Sequence, residues 1–198
     1  KALQAYEMSL SYKRKELASA LQRINEASRL EADNVQVITE NARLLILKGD
    51  CLGAQDQLIR MYKKNIYDEN ILLVMAQVQM CLGAIDQYFS VRSYVETKKS
   101  SLAYEWNLLE LERAVFEKDK ARAKELLAVV QKQEPKNPQH LYWEWKLYKL
   151  HDKELGTLAE KYNLQCKNIS SNSFRQYIRD PYFCNRQSEI ENATTKKL

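Results

Sequence analysis

The sequence predicts an all-α fold built from repeated helical hairpins, and three observations carry that reading. Glycine and proline are scarce, at 4 and 3 among 198 residues, as helix interiors require and a β-sandwich with many turns would not allow. Apolar residues recur three and four positions apart along most of the chain, which places them on one face of a helix. The breaks between these stripes, at Lys15, Gly49, Gly83, Lys118 and Asp152, are 34, 34, 35 and 34 residues apart.

The clearest unit runs from Ala42 to Asn70. Ala42, Leu45 and Ile46 form one stripe, Lys48-Gly49-Asp50 interrupts it, and Ala54, Leu58, Met61 and Tyr62 form a second. A hairpin this short buries its faces only against copies of itself. Ahead of it, residues 1–12 predict a helix with Leu3, Tyr6 and Leu10 on one side, and Lys13-Arg14-Lys15 a turn. Residues 16–30 predict a helix whose wide stripe includes Leu17, Ala20, Leu21, Ile24, Ala27 and Leu30. Asn34 is placed to cap the helix Val35–Lys48, and Leu52–Lys64 returns. Asp68 or Asn70 starts the next helix, Gly83 ends it, and residues 85–97 return through Tyr88, Val91 and Val95.

Ser100-Ser101 caps a helix carrying Leu102, Trp106, Leu109 and Ala114. Lys118-Asp119 turns it into residues 121–134, where Ala123, Leu126, Leu127 and Val130 share a face. Pro135-Lys136-Asn137-Pro138 is the firmest stop in the chain. Residues 141–150 and 153–162 make a fifth pair. From Asn163 the sequence turns polar, with one short helix predicted at Phe174–Ile178 and a frayed tail over 189–198. The domain reading is therefore a repeat domain over 1–162 and a capping segment with tail over 163–198. The aromatic run Leu141-Tyr142-Trp143-Glu144-Trp145-Lys146-Leu147-Tyr148 is expected to bury against residues 164–184, closing the open end of the array.

Charge distribution resembles a solvated surface more than a nucleic-acid footprint. Residues 1–66 carry 11 basic against 8 acidic groups, 67–135 carry 9 against 11, and 136–198 carry 11 against 7, which sums to the net +5 without a block of like charge. The longest apolar run, Ile71–Ala76, is too short to span a bilayer. No C-x-x-C occurs among the four cysteines, so zinc is not indicated. Cys51 and Cys81 fall near apolar stripes and read as buried free thiols. Cys166 and Cys184 can pair in an oxidising compartment, and the sequence leaves that open. Asn168-Ile169-Ser170 and Asn192-Ala193-Thr194 match the glycosylation acceptor pattern. The compartment expected is the cytoplasm.

The turn period, with Ala42, Gly49, Ala54 and Leu58 in one unit, Ala123, Leu127 and Pro135 in another and Ala20, Ile24 and Ala27 in a third, resembles the tetratricopeptide-repeat family. The resemblance covers about residues 1–162 and implies a right-handed α-solenoid of about five hairpins. This chain departs from the family pattern at Met61 and Val130, at Tyr88 and Arg92, and at Trp145. Two heptapeptides, Cys51–Gln57 and Cys81–Gln87, are nearly identical yet 30 residues apart. Either this is coincidence or the third unit has a shorter turn and a longer exit loop.

The resemblance implies a concave groove lined by the first helix of each pair. Its positions here are Gln36, Thr39 and Arg43, then Asn70, Leu73 and Gln77, then Glu105, Leu108 and Glu112, and finally Gln139, Tyr142 and Lys146. The carboxylate-clamp positions of the chaperone-binding branch read Thr39, Leu73, Leu108 and Tyr142, which do not supply that clamp. A mixed apolar and polar groove suits a protein or peptide segment, with Leu73 and Leu108 equally readable as core. The sequence offers no Gly-rich phosphate loop, nucleophile elbow or metalloprotease motif. Glu110 with Glu112, Asp50 with Asp56, and His151-Asp152 are near neighbours only. The expected function is a non-enzymatic scaffold, without cofactor or metal, within a larger protein complex. The alternative is an RNA-associated helical-repeat factor of the half-a-TPR kind, which would line Arg43, Lys146 and Lys149 along one face.

Overall fold

A computed structural model describes residues 17–63, 68–96, 100–148 and 152–168, and among them every regular element is helical. In order these are α1 (Leu17–Leu30), α2 (Val35–Lys48), α3 (Cys51–Lys63), α4 (Glu69–Leu82), α5 (Ile85–Glu96), α6 (Ala103–Phe116), α7 (Lys120–Gln133), α8 (Gln139–Tyr148) and α9 (Asp152–Asn168). Residues 1–16, the short helix expected at Phe174–Ile178, the tail over 189–198, Cys184 and the Asn192 acceptor lie outside the described residues. So do Lys149, Leu150, His151 and the side chain of Tyr62.

The helix starts follow from side chains that accept otherwise unpaired N–H groups. Asn34 Oδ1 accepts from Gln36 N at 3.0 Å and Val37 N at 3.3 Å, and Asp68 Oδ1 accepts from Asn70 N at 2.8 Å. Asp50 Oδ1 takes Gly53 N at 2.9 Å, Asp119 Oδ1 takes Arg122 N at 3.0 Å, and Asn137 Oδ1 takes Gln139 N at 2.9 Å. Each short polar residue just ahead of an apolar stripe therefore fixes where its helix begins.

Three hairpin turns share one mechanism. After α2, Gly49 N donates to Ile46 O at 2.9 Å and Asp50 N to Leu45 O at 2.9 Å; after α4, Gly83 N donates to Met80 O at 3.1 Å and Ala84 N to Gln79 O at 2.8 Å. After α6, Lys118 N donates to Val115 O at 3.2 Å and Asp119 N to Ala114 O at 2.9 Å. The pivot residue is left-handed each time, with φ of 85° at Gly49, 70° at Gly83 and 62° at Lys118. That conformation is free for glycine and costly for lysine.

These turns decide the phasing that the heptapeptides left open. Cys51–Gln57 lies wholly inside α3, whereas Cys81–Gln87 runs from the end of α4 through the turn into α5. Their glycines do different work. A Cβ on Gly53 would come within 2.6 Å of Asp50 Oδ2, on the carboxylate that caps α3, whereas a Cβ on Gly83 would meet nothing within 4 Å. Gly83 is needed for its backbone angle alone. The heptapeptide match is thus coincidental in structure, and Gly49 and Gly83 are the equivalent positions.

Burial follows the same phase as far as α7; in α9 the positions 34 residues after Ala123 and Val130 are Thr157 and Leu164, and both are exposed. Ala20, Ala54, Tyr88 and Ala123 are buried, as are Ala27, Met61, Val95 and Val130 in the second helices. Val37, Ile71 and Trp106 are buried in the first helices, as are Ala42, Ala76 and Leu111. Tyr88 stands where α1, α3 and α7 carry Ala20, Ala54 and Ala123, and is fully enclosed.

The chain forms two compact units, Lys1–Leu102 and Ala103–Leu198. In the first, α2 packs on α1, on its hairpin partner α3 and on α4, while α4 also contacts α3 and α5. In the second, α6 packs on α7 and α8, α7 on α8, and α8 on α9. The core of the second unit joins Leu108, Leu111 and Ala114 to Leu126, Leu127 and Val130, and to Tyr142, Trp143, Leu158 and Tyr162. Helix α9 continues beyond Tyr162, correcting the expected break at Asn163. Leu158, Tyr162 and Cys166, four residues apart, are all buried and extend one apolar face through the polar stretch.

A second correction concerns Cys51 and Cys81. They are bonded to each other, with Cα atoms 5.9 Å apart, and are not buried free thiols: Cys51 is half-buried and Cys81 exposed. Cys166 is buried and also disulfide-bonded.

Candidate protein-binding faces

Among the expected groove residues, Gln36, Thr39 and Arg43 lie on α2 and Asn70, Leu73 and Gln77 on α4, two helices that pack together in the first unit. Leu108 and Glu112 lie on α6 and Tyr142 and Lys146 on α8, which pack together in the second. Their exposures differ sharply. Arg43, Leu73, Thr39 and Tyr142 are at most 2% exposed and Leu108 is 8% exposed. Gln36 and Lys146 face solvent, while Asn70, Gln77 and Glu112 are half-buried, as is Glu105; Gln139 is fully enclosed.

The enclosed members do structural work. Helix α2 is buried around most of its circumference, and its buried residues include Thr39, Glu40, Asn41 and Arg43. The Thr39 hydroxyl donates to its own helix at Val35 O, 2.8 Å away, and Asn41 Nδ2 reaches Asn25 Oδ1 on α1 at 3.4 Å. Buried polar groups without hydrogen bonds are costly; the Thr39 bond meets this cost within α2, and the Asn41 contact ties α2 to α1. The first unit is left with Gln36, Asn70 and Gln77 to offer a partner, and Asn70 is already engaged at the Asp68 cap.

In the second unit the aromatic run wraps most of α8. Leu141, Tyr142 and Trp143 are buried, Trp145 and Leu147 are half-buried, and Tyr148 is 47% exposed. Lys146 Nζ lies 4.4 Å from the Trp145 ring centroid and 5.3 Å from that of Tyr142, while Lys124 Nζ lies 5.7 Å from that of Tyr148. Each such contact is worth about 0.5–1 kcal/mol at an exposed site. The accessible surface here combines aromatic edges with two ammonium groups.

Two of the carboxylates near one another in sequence, Glu110 and Asp50, have structural partners. Glu110 Oε2 accepts from Arg113 at 3.0 Å, and Glu117 holds the same guanidinium. Burial lowers the Arg113 pKa, but the two carboxylates outweigh it and the net shift is upward. Asp50 is the cap of α3. Burial pushes His140 below its ordinary value, against a smaller opposing hydrogen bond with the backbone of Asn137.

Glu69 makes a contact that no short-range pattern signals, because its partners lie 31 and 32 residues away. Ser100 Oγ donates to Glu69 Oε1, and Ser101 donates to Oε2 through N at 3.2 Å and Oγ at 2.8 Å. Burial raises the Glu69 pKa, but these hydrogen bonds outweigh it and the net shift is downward. The first residue of α4 thereby anchors the residues that close the first unit.

Among the described residues no group of three His, Cys, Asp or Glu side chains is placed to hold a metal ion. No described helix is long and apolar enough to cross a membrane. No protein-family model, curated protein or solved structure matches the chain.

Proposed function

We propose that the chain is a tetratricopeptide-like protein-interaction scaffold that binds a protein segment along its first helices and has no catalytic chemistry of its own. The observation that carries this reading is the recurrence, at 34 and 35 residues, of one left-handed turn with one hydrogen-bond pattern at Gly49, Gly83 and Lys118. Repeated hairpins in which successive first helices pack side by side present a surface formed before the ligand arrives, which lowers the ordering cost of binding. Complete burial of Arg43 removes one of the cations the RNA-binding alternative needs on an open face, so a protein ligand is the better-supported reading.

The contact residues are those that burial leaves available: Gln36 and Gln77 in the first unit, Glu112 and Lys146 in the second. The test is affinity capture from source lysate with the intact chain and with two double variants, Gln36→Ala with Gln77→Ala and Glu112→Ala with Lys146→Ala. Circular dichroism should show both folded as the parent is. Loss of the same specific partner from at least one variant is expected. Unchanged capture by both would refute the assignment of these faces, and capture lost to salt and nuclease would favour RNA.

A further inference from the structure

Cys51 opens α3 just after the Gly49 turn, and Cys81 lies in the last turn of α4 just before Gly83. Both sites are held by turn geometry independent of sulfur. Capping hydrogen bonds fix Gly49, Asp50, Gly83 and Ala84 at 2.8–3.1 Å, and Asp50 anchors the start of α3 through Gly53 N at 2.9 Å. Packing of α3 on α4 then sets the Cα atoms 5.9 Å apart, within the range that a disulfide spans without backbone movement. Cys166, in the other unit, is also bonded. Every described cysteine is therefore oxidised, and none is free.

We infer that this chain matures in a thiol-oxidising compartment, where Cys51–Cys81 forms as a permanent cross-link between consecutive hairpins. Reducing cytosol keeps thiols free, so structural disulfides belong to secreted, lumenal or periplasmic proteins. Exposure of Cys81 lets an oxidant reach it once the hairpins have packed. Its thiolate attacks a donor disulfide, either glutathione disulfide or a protein disulfide oxidant, forming a mixed disulfide and releasing one donor thiol. The Cys51 thiolate then displaces the second donor sulfur. Two cysteine thiols give up two protons and two electrons, and the donor disulfide becomes two thiols. This compartment differs from the cytoplasm expected of the sequence.

Source cells are quenched in acid and alkylated before lysis, so that oxidation after lysis cannot contribute. Trypsin separates the two residues, placing Cys51 in residues 49–60 and Cys81 in residues 65–92. Mass spectrometry without reduction should find nearly all of both peptides joined and lighter by two hydrogen atoms than their sum. Fractionation should place the chain with lumenal or exported markers. Alkylated free thiols at both sites would overturn the inference. So would pairing of either cysteine elsewhere, recovery with cytosolic markers, or a joined species that appears only after oxidant challenge.

Discussion

Lys118 holds the one left-handed φ among the described residues that is not a glycine's, at 62°, in a turn bonded like those at Gly49 and Gly83. Its side chain is exposed, so replacing it sacrifices no packing. A left-handed L-residue costs roughly 1–2 kcal/mol of backbone energy. Glycine at this position removes that strain and returns about 0.4–1 kcal/mol to the unfolded chain as entropy. Lys118→Gly should therefore stabilise the protein by about 0.5–1 kcal/mol. Lys118→Ala, which removes the amine and keeps the Cβ, should change stability by less than about half a kcal/mol. The reverse substitution, Gly83→Ala, meets no atom within 4 Å and should cost about 0.5–1 kcal/mol by the same backbone balance. Urea unfolding followed by circular dichroism reads all three as midpoint shifts at constant slope. If Lys118→Gly is neutral or destabilising while Gly83→Ala costs nothing, the left-handed pivot does not govern these hairpins.

Leu58 is completely buried, so Leu58→Ala should cost about 2–5 kcal/mol, whereas Leu30→Ala at a half-exposed site should stay within about 0.5 kcal/mol; equal urea midpoints for the two would show that Leu58 does not pack the inner face. The Cys51–Cys81 bond closes a loop with a sequence separation of 30, for which chain entropy predicts about 3.5 kcal/mol. The double variant Cys51→Ser, Cys81→Ser should lose most of this against the oxidised parent, and a difference below about 1 kcal/mol would refute the entropic account. Glu69 has its folded pKa below the ordinary 4.5, so its contribution is complete above that value and is lost as pH falls through the folded pKa. Glu69→Gln should lower stability at neutral pH and flatten the acid limb of the stability profile, and an unchanged limb would show that its serine contacts carry no linkage.

Much of the fold is legible in the sequence because turn chemistry and apolar spacing act locally. Asn34, Asp68 and Asp119 are capping residues by type, and they do cap. The helix Val35–Lys48 is found with the expected limits. Long-range contacts are less legible. Nothing in residues 69 and 100–101 announces their hydrogen bonds, and the sulfur bond hides inside a heptapeptide repeat whose spacing suggests a register instead. The candidate groove shows a further limit. Helical spacing assigns Thr39, Arg43, Leu73 and Tyr142 to one face of their helices, but spacing says nothing about what covers that face, and all four are enclosed.

The polar character of α2 connects these points. A first helix with Glu40 and Arg43 fully buried would be a poor core element if burial followed hydropathy alone, because desolvating charge is costly unless it is compensated. Its neighbours Val37, Ala42, Leu44 and Ile46 are buried as well, so α2 is enclosed on several sides by α1, α3 and α4. Corresponding first-helix positions are apolar at Val74 and Leu109, where α2 has Glu40. Hairpins related by one turn geometry thus differ in the chemistry their first helices bury. The turns at Gly49, Gly83 and Lys118 repeat one backbone geometry, and what varies over that geometry is the side chain each first helix buries, as Glu40, Val74 and Leu109 show.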